Sequence, residues 1–357
     1  MKNLLKALVL VLLLTLVGCG DSTNVGDNEY GCEVLNVYNW GEYIGEDVIA
    51  NFEDEFNVSV NYSLFDSNEA MYTKVLGGTH YDVLIPSDYM IERMIDEDLL
   101  QPLDKSIITN MDLLYEGTLN KPYDMDNTYS IPYFWGNVGI VYDKTIVDPS
   151  DVENEEWEVL KNEKYAGQIY MYDSERDSFM VALKALGYSM NTTNEDEIQE
   201  AYEWLVDLQK TMAPAYATDE AIDGLIYGEK AMGVMYSGDA AYILSENENM
   251  AFYAPEKMGT NYWNDAMVIP KDAECPGLAN EFINYILTYE ASYDNTATVG
   301  YASANAEVFE EMANEGGMYE GNPAFKPRPQ NEKDEVFANI EEVRELISEL
   351  WIKVKNS

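Results

Sequence analysis

The chain is 357 residues long, 46% apolar and 12% aromatic, and carries 66 acidic against 21 basic side chains for a formal net charge of -45. A surface so negative repels nucleic-acid phosphates and anionic lipid, which excludes DNA-binding, RNA-binding and polybasic membrane-docking classes and favours a cationic partner. The apolar and aromatic content excludes intrinsic disorder, and a length beyond one ordinary domain predicts a two-lobed globule whose acids mostly serve solvation.

In chain order, Lys2 and Lys6 precede an apolar run at 7–17 that is too short to span a bilayer and is followed by Gly18-Cys19. A basic start, an apolar middle and a small residue before the cut predict an export signal over residues 1–18. Leu16-Val17-Gly18-Cys19 resembles the bacterial lipobox, in which the Cys thiol takes a diacylglycerol. Cys19 is therefore the expected lipidation site, and the exported protein is expected at the outer face of the cytoplasmic membrane. Residues 19–32 then form the lipidated Cys and a tether rich in Gly, Asp, Ser and Asn. Of the other two cysteines, Cys32 stands where the first strand starts and Cys275 in a surface loop. Neither has zinc spacing, and the two are not expected to pair.

From Glu33 onward, short β-type runs alternate with helical ones. Strands are predicted at 34–38, 58–64 and 81–85, with helices at 46–56 and 69–76 between them. The alternation resumes with a strand at 168–172, Ser174 as N-cap, a helix at 176–186, a strand at 231–236 and a helix opened by Gly238-Asp239. A strand at 263–269, a helix at 278–287 and a long charged helix at 335–355 close the chain. Strands separated by helices imply parallel pairing, hence an α/β fold with two lobes, each a central, mainly parallel sheet flanked by helices.

Ligands of parallel α/β sheets sit beyond the carboxyl ends of the strands. Those ends carry Trp40, Glu42 and Tyr43; Ser87, Asp88 and Tyr89; Asp173, Ser174 and Asp177; and Tyr236. Trp263 and Asp265 lie within the strand at 263–269. Singly, each ring reads as core and each Ser or Asp as a helix cap; their recurrence at equivalent ends points to one site between the lobes. Ring faces attract ammonium groups and carboxylates neutralise them, so the set suits an elongated organic cation.

At Val37-Tyr38-Asn39-Trp40, Ser67-Asn68-Glu69-Ala70-Met71-Tyr72, Tyr81-Asp82-Val83-Leu84-Ile85-Pro86-Ser87, Ser130-Ile131-Pro132-Tyr133, Leu186-Gly187-Tyr188-Ser189 and Trp263-Asn264-Asp265, the chain resembles the spermidine/putrescine-binding proteins of polyamine ABC transporters. The resemblance implies a type II periplasmic-binding fold. Lobe 1 is then formed by 33–139 and 265–310, lobe 2 by 140–264 and 311–357, with crossings near 137–142, 261–266 and 307–320. It implies an aromatic box of Trp40, Tyr43, Tyr236, Trp263 and Tyr301 with Glu42 beside it, a Ser-x-Tyr element at Ser87 and Tyr89, and amine-binding acids at Asp177 and Asp265. Thr218 stands for a family Ser. Two departures concern one end of the pocket: Ser174, with Asp173 before it, replaces a family acid, and Phe337 or Ala338 replaces a Gln. The implied activity is capture of spermidine or putrescine by lobe closure and delivery to an ABC permease served by a separate ATPase. No cofactor, metal, nucleic acid or second copy of the chain is required.

Three rival readings remain. One is a carrier for another organic amine. Another is an exported hydrolase using Asp173, Asp177 and Asp265, although the chain has no GxSxG and only one histidine, His80, read as a surface loop residue. The third is a calcium-dependent adhesin suggested by the acidic residues at 124–127, which lack the glycine of an EF-hand loop.

Overall fold

The computed structural model describes residues 30–328 and 330–357; the predicted signal and Cys19 lie outside them. The first part of the chain runs β1 (Val34–Trp40), α1 (Val48–Phe56), β2 (Ser59–Phe65), α2 (Asn68–Leu76), β3 (Val83–Leu84) and α3 (Asp88–Asp96). A long strand β4 (Ser130–Asp143) leads to α4 (Pro149–Glu155), β5 (Ile169–Tyr172), α5 (Glu175–Leu186), α6 (Glu195–Met212), β6 (Ala215–Ala217), α7 (Glu220–Ile226), β7 (Met232–Tyr236), α8 (Ser237–Glu246) and β8 (Met250–Tyr253). The remainder is β9 (Tyr262–Val268), α9 (Pro276–Ile286), α10 (Tyr289–Val299), β10 (Ala302–Ser303), α11 (Ala306–Ala313) and α12 (Glu341–Lys355).

The strand order β2-β1-β3-β9-β4-β7-β5-β6 falls into two halves joined by β4. Residues 130–137 of β4 pair antiparallel with β9, whereas 138–143 pair with β7 and β8. Parallel pairing is confined to β1 with β2 and β3, and to β5 with β6 and β7. The sheet is therefore more mixed than expected: strands that pass from one half to the other enter against the local strand direction. β4 went unseen as a strand because all but its last residue are buried. It shows none of the period-two alternation that marks a half-exposed strand.

Local chemistry fixes the helix starts that matter for the site. The Ser174 hydroxyl accepts from the Asp177 backbone N–H and caps α5, and Gly187 ends that helix in the left-handed conformation with φ +82°. The closing helix begins at Glu341, six residues later than predicted, because residues 335–340 are used as a strap: Tyr262 N–H donates to the Glu335 carbonyl and Ala338 N–H to Asn191 Oδ1. Among the described residues no helix is long and apolar enough to cross a membrane.

Cys32 and Cys275 are joined in a disulfide, contrary to the expectation from sequence. Separated by 243 positions, they meet because Asp82 ties both segments together. Its Oδ2 accepts from the Asn36 backbone in β1 and its Oδ1 from the Cys275 backbone. Nothing in the spacing of two isolated cysteines reveals such a long-range contact.

Candidate functional site

Beyond the carboxyl ends of the strands, side chains from both halves converge on a belt of aromatic rings. Tyr43, from the turn after β1, packs edge-on against Tyr301 at 5.6 Å. Tyr301 meets the indole of Trp263 on β9 at 5.4 Å. Trp263 in turn lies 6.0 Å from Tyr236 at the end of β7, which contacts Tyr172 at the end of β5 at 4.8 Å. Gly238 allows the closest approach: a Cβ there would fall on the ring of Tyr301. The belt thus crosses from one half of the sheet to the other.

Carboxylates face this belt, and tyrosine hydroxyls donate to three of them. Tyr43 donates to Asp265 at 2.7 Å, Tyr236 to Asp177 at 3.0 Å, and both Tyr301 and Tyr172 to Asp239 at 2.8 and 3.0 Å. The Ser174 hydroxyl adds a 2.6 Å bond to Asp177. A fourth acid, Asp88, is 1% exposed; its Oδ1 accepts from the Tyr89 backbone and its Oδ2 has no hydrogen-bond partner among the described residues. The indole N–H of Trp263 is likewise buried and unpartnered. Burial pushes the Asp265 carboxyl up to about 6, against the pull of hydrogen bonds from Ser87 and Tyr43, and the Asp239 carboxyl also to about 6. Asp88, buried and within the field of Asp265, is pushed up to about 8, and burial raises Asp177 as well. A carboxylate that resists ionisation in this way is short of positive charge.

Of the residues singled out from sequence, Tyr43, Ser87, Asp88, Ser174, Asp177, Tyr236, Trp263, Asp265 and Tyr301 are brought together. Trp40 is half-buried beside them, its indole N–H donating to the Ile85 carbonyl at 2.9 Å and its ring packed on Phe65. Glu42 is exposed in a left-handed turn with φ +50°. Asp173 is exposed and drawn away to Lys355 at 2.7 Å, and Thr218 is exposed, its hydroxyl donating to Glu220. Tyr89 lies at the edge, its hydroxyl between Asn68 and Glu69. Asp239 and Tyr172 were not anticipated as site residues. Asp239 reads as the opening acid of α8; it stands three residues beyond the end of β7, and it is the Tyr301 and Tyr172 hydroxyls that mark it as part of the site.

Two other sequence suggestions resolve locally. The Asp124 carboxylate is committed to the backbone N–H groups of Thr128, Tyr129 and Ser130 and to the Ser130 hydroxyl, as a turn brace. His80 is exposed and pairs with Asp272 at 3.2 Å. Among the described residues no group of three potential metal-ligating side chains is assembled.

An acid-lined, ring-walled site between two α/β halves joined by crossing strands defines a solute-binding protein of the type II periplasmic-binding fold. The chain belongs to the bacterial extracellular solute-binding proteins, matching that family over residues 47–327. It is 34% identical over 291 residues to the spermidine/putrescine-binding periplasmic protein of Escherichia coli, covering 80% of this chain and 82% of that one. It is 30% identical to the putrescine-binding periplasmic protein SpuD of Pseudomonas aeruginosa, with 88% and 90% covered. Among solved structures, the spermidine/putrescine ABC transporter substrate-binding protein PotD of Streptococcus pneumoniae superimposes with a TM-score of 0.79 at 37% identity, covering 91% of this chain and 99% of that one.

Proposed function

We propose that the chain captures a polyamine, spermidine or putrescine, outside the cytoplasm and hands it to an ABC permease served by a separate ATPase, without catalysing a reaction itself. The observation that carries this reading is the set of four acids, Asp88, Asp177, Asp239 and Asp265, held against a ring belt with raised carboxyl pKa values. An ammonium group placed there restores their charge, while the rings cover its methylenes. The acids and rings come from segments assigned to both lobes, 33–139 with 265–310 and 140–264 with 311–357, so closure of one on the other completes the site. Lipidation at Cys19 would hold the exported protein beside its permease. The diversion of Asp173 to Lys355 weakens the hydrolase reading, which needs that acid in the site.

Isothermal titration of the chain from Asp21 onward, which keeps every described residue, with spermidine and putrescine at two salt concentrations tests the reading. One-to-one binding that weakens only modestly in high salt is expected, because a desolvated site is screened little. Weak, multi-site heat that disappears with salt would mean that polyamine merely condenses on an acidic surface.

A further inference from the structure

One face of α3 is laid against segments assigned to the other lobe, outside the ring belt and its acids. Tyr89, Glu92 and Arg93 lie three and four residues apart on α3, and Glu97 follows one turn later at its end, so the four stand on one side of the helix. Each meets a complementary group. The Tyr89 ring has the Arg176 guanidinium of α5 3.7 Å from its centre, and the Glu92 carboxylate accepts from the Asn339 backbone N–H at 2.6 Å. Arg93 lies in the field of Glu341 and Glu97 in that of Arg344, both on the opening turn of α12. The signs of Glu92, Arg93 and Glu97 alternate, and the groups opposite alternate in the reverse sense. Val336, in the strap before α12, adds an apolar contact, buried in one cluster with Met90 and Ile91 of α3.

The strap is fastened to its own side by other bonds. Asn191 donates to the Val336 carbonyl at 2.8 Å and accepts from the Ala338 N–H at 3.0 Å, while the Glu335 carboxylate accepts from Lys184 of α5, the Ser189 hydroxyl and the Met190 backbone. A movement of α5 away from α3 therefore carries the strap and the start of α12 with it. We propose that the α3 face and this strap form a closure latch that acts without ligand: their contacts hold the lobes together whatever occupies the cleft, so closed protein is present before a ligand arrives. The inference rests on lobe closure, not on which ligand is bound. Apparent affinity scales with the fraction of protein already competent to bind, so weakening the latch lowers the affinity for every ligand by one common factor. A change within the site lowers different affinities unequally.

The test uses Arg344→Glu, which sets a like charge opposite Glu97, and Glu92→Ala, which removes the acceptor of the Asn339 N–H. The Arg344 side chain is 41% exposed, so its replacement is expected to leave the fold intact. Each variant and the unaltered protein are titrated with spermidine and putrescine, and the radius of gyration is measured without ligand by small-angle X-ray scattering. Both affinities are expected to fall together, by about threefold or more in Arg344→Glu and by less in Glu92→Ala, with their ratio held within about twofold. The unliganded radius should exceed that of the unaltered protein and return to it when ligand saturates. Affinities and an unliganded radius equal to those of the unaltered protein overturn the latch and leave these contacts as static packing; a shifted ratio overturns it too, by placing the groups in the site. If the unaltered protein binds neither amine, the polyamine reading fails, while the unliganded radius still decides whether the latch exists.

Discussion

Two groups of buried or half-buried acids in this molecule are treated in opposite ways. Where the chain crosses between halves, each acid has its own cation: Arg328 grips Asp334 with bonds of 2.5 and 2.7 Å, and the 3%-exposed Lys184 meets Glu335 at 2.5 Å. Although burial opposes it, that ammonium, with Ser189 and the Met190 backbone, holds the Glu335 carboxyl below its ordinary range. In the cleft, Asp177, Asp239 and Asp265 receive hydroxyl groups instead, and their carboxyls lie above the ordinary range. Hydroxyls orient a carboxylate without cancelling its charge, so the cleft acids keep a demand for positive charge that the crossing acids have already met.

The comparison breaks most visibly at Asp265. Its conversion to Asn is expected to cost at least a hundredfold in polyamine affinity by titration, since leaving a buried ammonium unpaired costs about 3–5 kcal/mol. The same variant should unfold no more easily than the parent. An affinity within threefold of the parent would place Asp265 outside the site. At the crossing the outcome is expected to reverse: Lys184→Met should lose about 2–3 kcal/mol in a denaturant titration, less than a fully buried pair because Glu335 is 29% exposed, with little change in ligand affinity. Equal destabilisation by the two variants would remove the distinction between these groups.

The smaller effect is in pH. Asp239 and Asp265 at about 6 and Asp88 at about 8 have folded values above the ordinary carboxylate value near 4. The folded state binds the extra protons, so the stability these groups contribute is complete below about pH 4 and is lost as pH rises through 6 and then 8. Ligand acts in the other direction, because an ammonium favours the ionised acid. Affinity should therefore climb between pH 5 and 8, and binding should release protons, read as heats that differ between buffers of unlike ionisation enthalpy. Asp88→Asn should flatten the part of the profile between 6 and 8; a profile level from 5 to 8 in the parent would contradict the assignment.

Sequence patterns and tertiary contacts divide what could be read in advance. Strands β1, β2, β5, β7 and β9 and the helices that follow them announce themselves through short β-branched or aromatic runs and, for α5, the capping residue Ser174. The strand-end rule then placed Tyr43 and Tyr236 of the belt, while Tyr301 came from the family resemblance. What escaped depends on partners remote in sequence. Asp173 and Asp177 look equivalent, yet Lys355 from the last helix draws one outward while Tyr236 and Ser174 hold the other in. Asp239 is indistinguishable from a helix-opening acid until Tyr301 is seen to reach it from 62 positions away. The Cys32–Cys275 bridge depends on Asp82 in the same way.

That bridge bears on how the body carries mechanical load. The chain ahead of Tyr30 joins the fold just before β1, a strand held to β2 and β3 by backbone pairing and a few side-chain bonds. A pull on that leading segment would otherwise act on the first rung of β1 and peel it off one bond at a time. With Cys32 bonded to Cys275, the force passes at the first covalent junction into the loop that opens α9. The strand that carries Trp40 and leads to Tyr43 is thereby shielded from tension applied at the leading end of the chain.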